Sequence, residues 1–313
     1  MSNYGISNTG SGNVSVSGTV AMGRNTTATR HDVRPAAPAE PRAKEQVWDV
    51  GVVTVLSVET RAVLDELAKW GAHTERRTLQ GTVFHEFVHE SVHEPVHESV
   101  HESVHKGEGR TVRLSVTQSL LPGQHFAASA VEQLRREYAP RLVALVGIAG
   151  SIHPDVRLGD VVIAQEIVHY EPRKVTPEGV LRRGRSHAVT AGVQRAVNGF
   201  FTSHGEPWTL PGSSGHRALR GLIGSGEAVL ADVRADERRY LREYNEKILA
   251  VETEGAGLAA AAHTSFGESG AAEAWLVVRG ISDAADRQKS DSHHETAGRN
   301  AAYVFGALLP HLT

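Results

Sequence analysis

The sequence contains no cysteine, and this absence excludes disulfide bridges, zinc–thiolate sites and a cysteine nucleophile. It fits a protein that works in a reducing compartment. No apolar run approaches the roughly 20 residues that a membrane-spanning helix requires. The polar start of the chain also lacks the basic and apolar regions of a secretory signal peptide. These absences together predict a cytoplasmic protein without a membrane segment.

A strong excess of either charge is also missing. The 33 basic and 36 acidic residues give a formal net charge of −3, which argues against a nucleic-acid partner. Hydrophobic residues make up 40% of the 313 residues, enough for a globular protein with a sizeable core. Composition therefore indicates an ordinary globular protein, and its chemistry must be sought in the motifs.

Residues 1–46 differ in composition from the rest of the chain. Glycine, serine, asparagine and threonine dominate the first part, and prolines follow. Such a stretch buries too little apolar surface to offset the entropy of ordering it, so we predict a disordered polar tail. The alternating pattern at 13–20 (NVSVSGTV) allows a strand if another segment supplies an edge, and it leaves open that the tail binds a protein partner.

Residues 47–313 alternate between strand-like and helix-like patterns. The first run, DVGVVTVLSV, is rich in β-branched residues and is typical of a strand buried on both faces. Strands that alternate with helices predict an α/β layered fold around a largely buried sheet. Strands are predicted at 49–58, 111–118, 141–146, 160–164, 219–224, 248–251 and 275–279, and helices at 62–70, 127–138, 236–244, 254–263 and 297–309.

A histidine-rich repeat at 85–106 interrupts this pattern. Its sequence, HEFVHESVHEPVHESVHESVH, repeats the H-E-x-x-H pattern, in which the two histidines can bind zinc when they lie on a helix. A metalloprotease needs one such site with a third ligand, whereas here every unit is a near copy and Pro95 interrupts the series. We therefore interpret the stretch as a tandem expansion in a surface loop of the 47–313 domain, and we predict no metal site.

Four polar or glycine-rich clusters follow predicted strands. They are Glu59, the glycine motif at 147–151, the acidic motif at 251–257, and the segment 279–283. Ligands of open α/β sheets bind at the carboxyl ends of strands, so position makes each cluster a candidate. The last three also have a structural explanation: a tight turn for the glycines, a helix start for the acids, and a helix cap for the aspartate.

Taken together and in order, these clusters resemble the motifs of the purine nucleoside phosphorylase superfamily. The resemblance is strongest to its branch of methylthioadenosine/S-adenosylhomocysteine nucleosidases, which includes bacterial signalling and defence relatives. It covers about 47–313 without the histidine insertion and implies a three-layer α/β fold with a mixed, largely buried sheet flanked by helices. The matching segments are VVTVLSVETRAV, LVALVGIAGSI with GDVVIA, GSGEAVL, VETEGAGLA and VVRGISDAAD.

The resemblance implies a reaction and a role for each polar residue. Asp283, oriented by Ser282, would protonate the leaving purine in the cleavage of its N-glycosidic bond. Glu59 would position and deprotonate the attacking water. Arg279 would hold that water or the local charge, and Glu254 would accept hydrogen bonds from the sugar hydroxyls. No cofactor is implied.

Three residues depart from the family pattern in the implied substrate-binding set. Thr253 replaces a methionine that packs on the sugar, Ile148 replaces a serine near the water, and Val229 replaces an aromatic residue near the base. These departures leave the substituent at the sugar 5′ position open, a polyphosphate included. The implied substrate-binding residues besides Glu254 are Ile148, Ala149, Gly150, Val229, Leu230 and Thr253.

Several functions remain open at this point. Val146 stands near the position where the phosphorylases carry a phosphate-binding arginine, so we favour water over phosphate as the nucleophile. A purine nucleosidase is therefore expected, either for methylthioadenosine-like nucleosides or as a defence effector that cleaves ATP or another nucleotide. A phosphorylase that uses phosphate and a non-catalytic nucleotide-sensing module are the alternatives. Family members commonly self-associate, which predicts a homodimer or a larger homo-oligomer.

Overall fold

The structure is a computed structural model that describes residues 7–8, 14–15, 48–71, 73–91, 110–264, 274–285 and 293–313. The chain divides into two compact units, Met1–Glu45 and Gln46–Thr313. In the first unit β1 (Ser7–Asn8) pairs antiparallel with β2 (Val14–Ser15), which falls within the alternating pattern. The remainder of the predicted disordered tail lies outside the described residues, so its disorder stays a prediction.

The second unit contains strands and helices in alternation, as the sequence pattern predicts. Its helices are α1 (Ser57–Leu67), α2 (Gln124–Tyr138), α3 (Ala191–His204), α4 (Asp236–Tyr244), α5 (Gly255–Thr264) and α6 (His294–Leu312). Its strands are β3 (Val50–Thr54), β4 (His73–Arg77), β5 (Val83–Ser91), β6 (Arg110–Gln118), β7 (Leu142–Ser151), β8 (Val161–His169), β9 (Arg173–Thr176), β10 (Gly179–Arg182), β11 (Arg185–Ala188), β12 (Trp208–Thr209), β13 (Arg217–Ser225), β14 (Ile248–Glu252) and β15 (Ala274–Asp283).

Eleven of these strands form one mixed sheet in the order β11-β8-β13-β14-β7-β3-β6-β5-β4, with β12 beside β13 and β15 beside both β7 and β8. β7 pairs parallel with β3 and β15, whereas β14 pairs antiparallel with β7. Because β15 joins β7 to β8, the strands β7, β14, β13, β8 and β15 form a closed ring. The predicted α/β class with a mixed sheet is confirmed, and the ring is a feature that the pattern did not predict.

The helices pack on the sheet in two groups. α6 packs against α1 and α3, and this group contacts β7 and β15. α2 packs against α5, and this pair contacts β3, β6, β8 and β15. β3 is buried along its whole length, as its run of valines predicts. No helix within the described ranges is both long and apolar enough to cross a membrane.

The first part of the histidine repeat differs from the expected surface loop. Residues 85–91 belong to β5, which pairs antiparallel with β4 on one side and β6 on the other. Phe84 and Phe87 anchor this strand in the core with 0% and 2% exposure. Side chains along a strand alternate between its two faces, so a four-residue repeat places its histidines on the same face. The repeat is therefore compatible with strand pairing. Residues 92–106 of the repeat lie outside the described residues.

Candidate active site

A cavity of about 230 Å³ opens at the carboxyl-terminal parts of β7, β14 and β15 and at the start of α1. Its lining residues lie up to 239 positions apart in sequence, from Val55 to His294. Ten of the eleven predicted site residues line this cavity, and Arg279 alone does not. Those ten are Glu59, Ile148, Ala149, Gly150, Val229, Leu230, Thr253, Glu254, Ser282 and Asp283.

Glu59 lies in the first turn of α1, not directly after a strand, because β3 ends at Thr54. Its Oε2 accepts hydrogen bonds from the backbone N–H groups of Val55 and Leu56, each at 2.8 Å. Its Oε1 accepts a third from the N–H of Ile148 at 2.8 Å. The carboxylate thus caps its own helix while it also faces the cavity.

Burial has a strong effect on the Glu59 carboxyl, which is 2% exposed. Desolvation raises its pKa above the ordinary value, and the nearby Arg279 and the three backbone N–H groups offset only part of that rise. A carboxyl whose pKa lies closer to neutrality is a better proton acceptor than an ordinary surface glutamate. Glu59 therefore has the chemistry of a general base at the edge of the cavity.

Arg279 lies behind the cavity wall on β15, and its side chain is 1% exposed. Its Nη2 donates to Glu252 Oε2 at 2.6 Å and to Glu254 Oε2 at 2.8 Å, and its Nη1 lies 3.8 Å from Glu59 Oε1. Burial alone would lower the pKa of the guanidinium, but the three carboxylates outweigh it and raise that pKa. Of the two expected roles for Arg279, this geometry fits the one in which it holds local charge.

Glu252 and Glu254 flank the turn between β14 and α5. The Glu252 carboxylate accepts from the backbone N–H groups of Glu254 and Gly255, at 3.0 and 2.8 Å, and so caps the start of α5. The Glu254 Oε1 accepts from the N–H of Gly123 at 2.9 Å and from the hydroxyl of Thr253 at 2.5 Å. Both acids are therefore held by fixed donors, and the Glu254 carboxylate faces the cavity.

Asp283 is the last residue of β15 and is 6% exposed. Its Oδ1 accepts from the N–H of Ala285 at 2.8 Å, and the Ser282 hydroxyl lies 3.1 Å from its Oδ2. The Ser282 Oγ also lies 3.3 Å from the carbonyl oxygen of Ala149. The carboxyl group is therefore fixed in orientation, as a proton donor to a bound base requires.

The glycine motif is part of β7, not a turn after a shorter strand as predicted. β7 continues to Ser151 and pairs with β15 along residues 147–150 of the motif. A Cβ at Gly147 would collide with the Glu59 carboxylate and the Arg279 guanidinium, and one at Gly150 would lie 2.8 Å from Asp283 Oδ1. The glycines thus leave space beside the extended strand β7 for the side chains of Glu59, Arg279 and Asp283.

The segment after β13 forms the other wall of the cavity through Ala228, Val229 and Leu230. Two acids hold it: the Ala228 N–H donates to Glu171 at 3.0 Å, and Glu227 accepts from the N–H of Gln124 at 3.2 Å. Leu230 is 8% exposed and Val229 is 61% exposed. Leu230 is therefore an apolar contact in the wall, whereas Val229 offers a smaller and more open surface than an aromatic ring.

Some lining residues were missed by the sequence reasoning. Glu252 belongs to the acidic motif, and its position two residues before Glu254 was a usable signal. Pro122 and His294 also line the cavity, but neither belongs to a sequence motif that would distinguish it from an ordinary loop or helix-start residue. Within the described ranges, no group of three or more His, Cys, Asp or Glu side chains is placed to hold a metal ion.

Comparison with known proteins identifies the family. The family model described as "Phosphorylase superfamily" matches residues 79–311. The chain belongs to this superfamily. The matched segment contains every predicted site residue of the superfamily motifs except Glu59, which precedes it.

Relatives within the phosphorylase superfamily agree with the expected branch. The chain is 31% identical over 194 residues to the 5′-methylthioadenosine/S-adenosylhomocysteine nucleosidase of Pseudoalteromonas translucida (strain TAC 125), covering 61% of this chain and 77% of the relative. The corresponding nucleosidase of Marinomonas sp. (strain MWYL1) is 29% identical over 191 residues, 60% of this chain and 77% of the relative. The nucleosidase-like branch predicted from the motifs is thereby confirmed.

Solved structures of the superfamily share the fold. The adenine complex of the nucleosidase from Colwellia psychrerythraea 34H matches with a TM-score of 0.62 at 18% identity, over 86% of this chain and 97% of that one. The futalosine hydrolase of Helicobacter pylori strain 26695 matches with a TM-score of 0.61 at 18% identity, over 84% of this chain and 98% of that one. At this identity the likeness concerns the fold.

Proposed function

We propose that this protein is a purine nucleoside N-ribohydrolase that releases the base from a nucleoside with an uncharged 5′ substituent. The observation that carries the proposal is the convergence of Glu59, Glu254 and Asp283 on one cavity, each fixed by protein donors. Cleavage of an N-glycosidic bond passes through a cationic, oxocarbenium-like sugar. A cavity lined by carboxylates stabilises such a cation more than it stabilises the neutral substrate.

The positions of these residues in the cavity support the following proposed roles. Asp283 donates a proton to the purine, which becomes a better leaving group. Glu59 takes a proton from the attacking water, and its raised pKa suits this task. The backbone N–H of Ile148 fixes the Glu59 carboxylate, although a serine is absent there. Glu254 accepts hydrogen bonds from the sugar, and Ala149, Gly150, Val229 and Leu230 enclose the base and sugar.

Charge supports water over phosphate as the nucleophile. Among the described residues that line the cavity, four are acidic and none is lysine or arginine. Arg279 is already engaged by Glu252 and Glu254, and Val146 is a buried strand residue. A phosphate dianion placed beside this cluster would meet like charges at low dielectric. The same argument disfavours AMP and ATP, so a nucleotide-cleaving defence effector has less support than a nucleosidase.

Product analysis on a panel of substrates tests the proposal. Methylthioadenosine, adenosylhomocysteine, adenosine, inosine, AMP and ATP are each incubated with the full chain in phosphate-free buffer, and free base and sugar are quantified. We expect free base and free sugar from at least one nucleoside, with AMP and ATP far slower. Base release that requires phosphate and yields a sugar 1-phosphate would support the phosphorylase instead, and no base from any substrate would support the non-catalytic module.

We also propose that the protein acts in the cytoplasm as a homo-oligomer. The absence of cysteine supports a reducing compartment. Val175, Val180 and Leu181, on the β9–β10 hairpin, are each more than half exposed, and such apolar groups favour self-association. Sedimentation of the purified chain tests the oligomer: a monomer at micromolar concentration would contradict it. Binding of another protein by residues 1–46 is tested by comparing the sedimentation of the full chain with that of a chain that lacks these residues, each in a cell extract.

A further inference from the structure

The turn that follows β15 holds the Asp283 carboxyl through a backbone group. The N–H of Ala285 donates to Asp283 Oδ1 at 2.8 Å. Ala285 is 1% exposed and packs against Gly150 of β7, where an added Cβ would lie 3.1 Å from the Cβ of Ala285. The direction of the Ala285 N–H, and with it the orientation of the Asp283 carboxyl, therefore depends on the backbone conformation of this turn.

Ala285 has a backbone conformation that is unfavourable for its residue type. Its φ is +49°, in the left-handed region that favours glycine. A residue with a Cβ keeps such a conformation only where the surrounding contacts hold it. The turn therefore needs an anchor in addition to its hydrogen bond with Asp283.

Arg238 of α4 supplies this anchor. Its Nη1 donates to the carbonyl oxygen of Ala284 at 3.1 Å and to that of Ala285 at 3.2 Å. Hydrogen bonds from a charged donor are stronger than those between neutral groups, and a guanidinium is always charged. The Ala284 carbonyl belongs to the same peptide group as the Ala285 N–H. A cation at its oxygen therefore both fixes that peptide group and strengthens its N–H as a donor to Asp283.

The helix that carries Arg238 is itself held from the other side. Glu237 Oε1 accepts from Arg182 Nη2 at 2.9 Å, which ties α4 to the β9–β10 hairpin. The hydroxyl of Tyr240 accepts from the N–H of Gly184 at 3.2 Å, just beyond the same hairpin. Arg238 therefore extends from a braced helix to the turn. It is not among the described residues that line the cavity, so it reaches the site through the turn.

We propose that Arg238 is a positioning residue for Asp283, which acts through the peptide group between Ala284 and Ala285. The guanidinium holds this peptide group, and the peptide N–H keeps the Asp283 carboxyl in the orientation from which it protonates the base. This inference rests on the proposed function, because it assigns Arg238 a part in the proton transfer by Asp283.

A double-mutant cycle with Asp283→Asn tests the inference. kcat and KM are measured on a nucleoside from which the wild-type chain releases base, for Arg238→Met, for Asp283→Asn and for the double variant. Arg238→Met keeps an apolar stem and removes the donors. It is expected to lower kcat by about tenfold and to leave KM within about twofold, because the proton donor loses its orientation. In the Asp283→Asn background the same substitution should change kcat by less than about twofold, because no acidic proton is left to position.

Arg239→Met is the matched control. Arg239 is the next residue on α4, its side chain is 69% exposed, and its replacement should leave kcat and KM unchanged. Arg238→Lys, which restores a cationic donor, is expected to recover part of the lost kcat. Unfolding midpoints are measured for all variants, and single-turnover assays with the enzyme in excess keep the slow rates of the Asp283→Asn variants measurable.

An equal loss of kcat in the two backgrounds overturns the inference, because Arg238 would then act independently of Asp283. An unchanged kcat in Arg238→Met also overturns it. Absence of base release by the wild-type chain from every substrate of the panel overturns the proposed function, and the inference with it. Because the cycle is run on a chain that releases base, its failure concerns Arg238 alone, so the two failures are distinguishable.

Discussion

At the residue scale, one buried guanidinium organises the acids of the site. Arg279 contacts Glu252 and Glu254 directly and lies close to Glu59, and all four side chains are almost fully buried. A buried charge is stable only when it is paired, so removing Arg279 would leave three carboxylates without their common partner. The site therefore depends on a residue that does not line the cavity.

Asp283 provides the most direct residue-scale test. In Asp283→Asn the amide oxygen can still accept from Ala285, and the amide nitrogen can donate to Ser282 Oγ, so the local structure is kept. We expect base release to fall by about 10²- to 10⁴-fold, because the group loses its acidic proton. Steady-state rates and the thermal unfolding midpoint are measured together. Asp155→Asn, on an exposed side chain, is the control and should change neither; a fully active Asp283→Asn enzyme would contradict the assignment.

The raised pKa of Glu59 predicts how kcat/KM depends on pH. As a base it must be ionised, and its pKa is raised above the ordinary glutamate value by burial. The contribution of Glu59 to activity is therefore present above the raised pKa and is lost as the pH falls through it. We expect the acid limb of kcat/KM to lie at a higher pH than an ordinary glutamate would give. The exposed control Glu178→Gln should leave this limb in place, whereas Glu59→Gln should lose activity at every pH; a limb at the ordinary value would argue against Glu59.

At the element scale, the turn before α2 links helix packing to the site. Gly257 of α5 lies against the start of α2, where a Cβ would lie 2.6 Å from the Gln124 carbonyl carbon. The adjacent Gly123 supplies its N–H to Glu254, and Pro122 lines the cavity. The close approach of α2 and α5 therefore positions one hydrogen-bond donor to Glu254.

Gly257→Ala should consequently affect both stability and activity. Overpacking at such a contact costs about 1–3 kcal/mol, and a shift of α2 would lengthen the bond from Gly123 to Glu254. The same substitution at Gly199 of α3 meets its nearest atom at 3.5 Å and should stabilise by about 0.5–1 kcal/mol. Chemical denaturation and kcat/KM are measured for both variants. Equal free energies of unfolding for the two variants would contradict this prediction, because α2 and α5 would then move apart without loss of stability.

The histidine repeat yields a second element-scale prediction. β5 and β6 pair with Ser91 opposite Arg110, so their ends lie side by side. Deleting residues 92–106 leaves Gly-Glu-Gly between them, a length and composition that suit a hairpin loop. We expect this variant to keep its unfolding midpoint and its activity. Deleting 85–106 should destabilise the protein, because it also removes most of β5 with the buried Phe87; loss of activity in the shorter deletion would favour a functional repeat.

At the scale of the whole molecule, every described residue of the cavity belongs to the unit Gln46–Thr313. A chain that begins at Gln46 should therefore release base with the kcat and KM of the full protein. Parallel kinetics and thermal unfolding of the two chains check this. A change of more than about threefold in kcat/KM would indicate that the preceding residues contribute to the site.

The sequence predicted the strands that run buried through the core and the helices between them, because β-branched runs and apolar periodicity are local signals. It missed β4, whose residues HTERR are mostly exposed and show no alternation. It missed α3 although Thr190 caps it and Val193, Val197 and Phe200 form an apolar stripe, a signal that was present. In the site, motif order located the acids, whereas the contacts of Arg279 with Glu252 and Glu254 depend on the pairing of distant strands.

The closed ring of strands has a consequence for how this enzyme could diversify. Strands within the ring are hydrogen-bonded on both sides, so Asp283 at the end of β15 and Glu252 at the end of β14 stay in fixed register. Val229 and Leu230 lie instead on an irregular segment outside the ring. Under the proposed function, changes of base preference can therefore accumulate in that segment by ordinary mutation, while Asp283 and Glu252 keep their spacing.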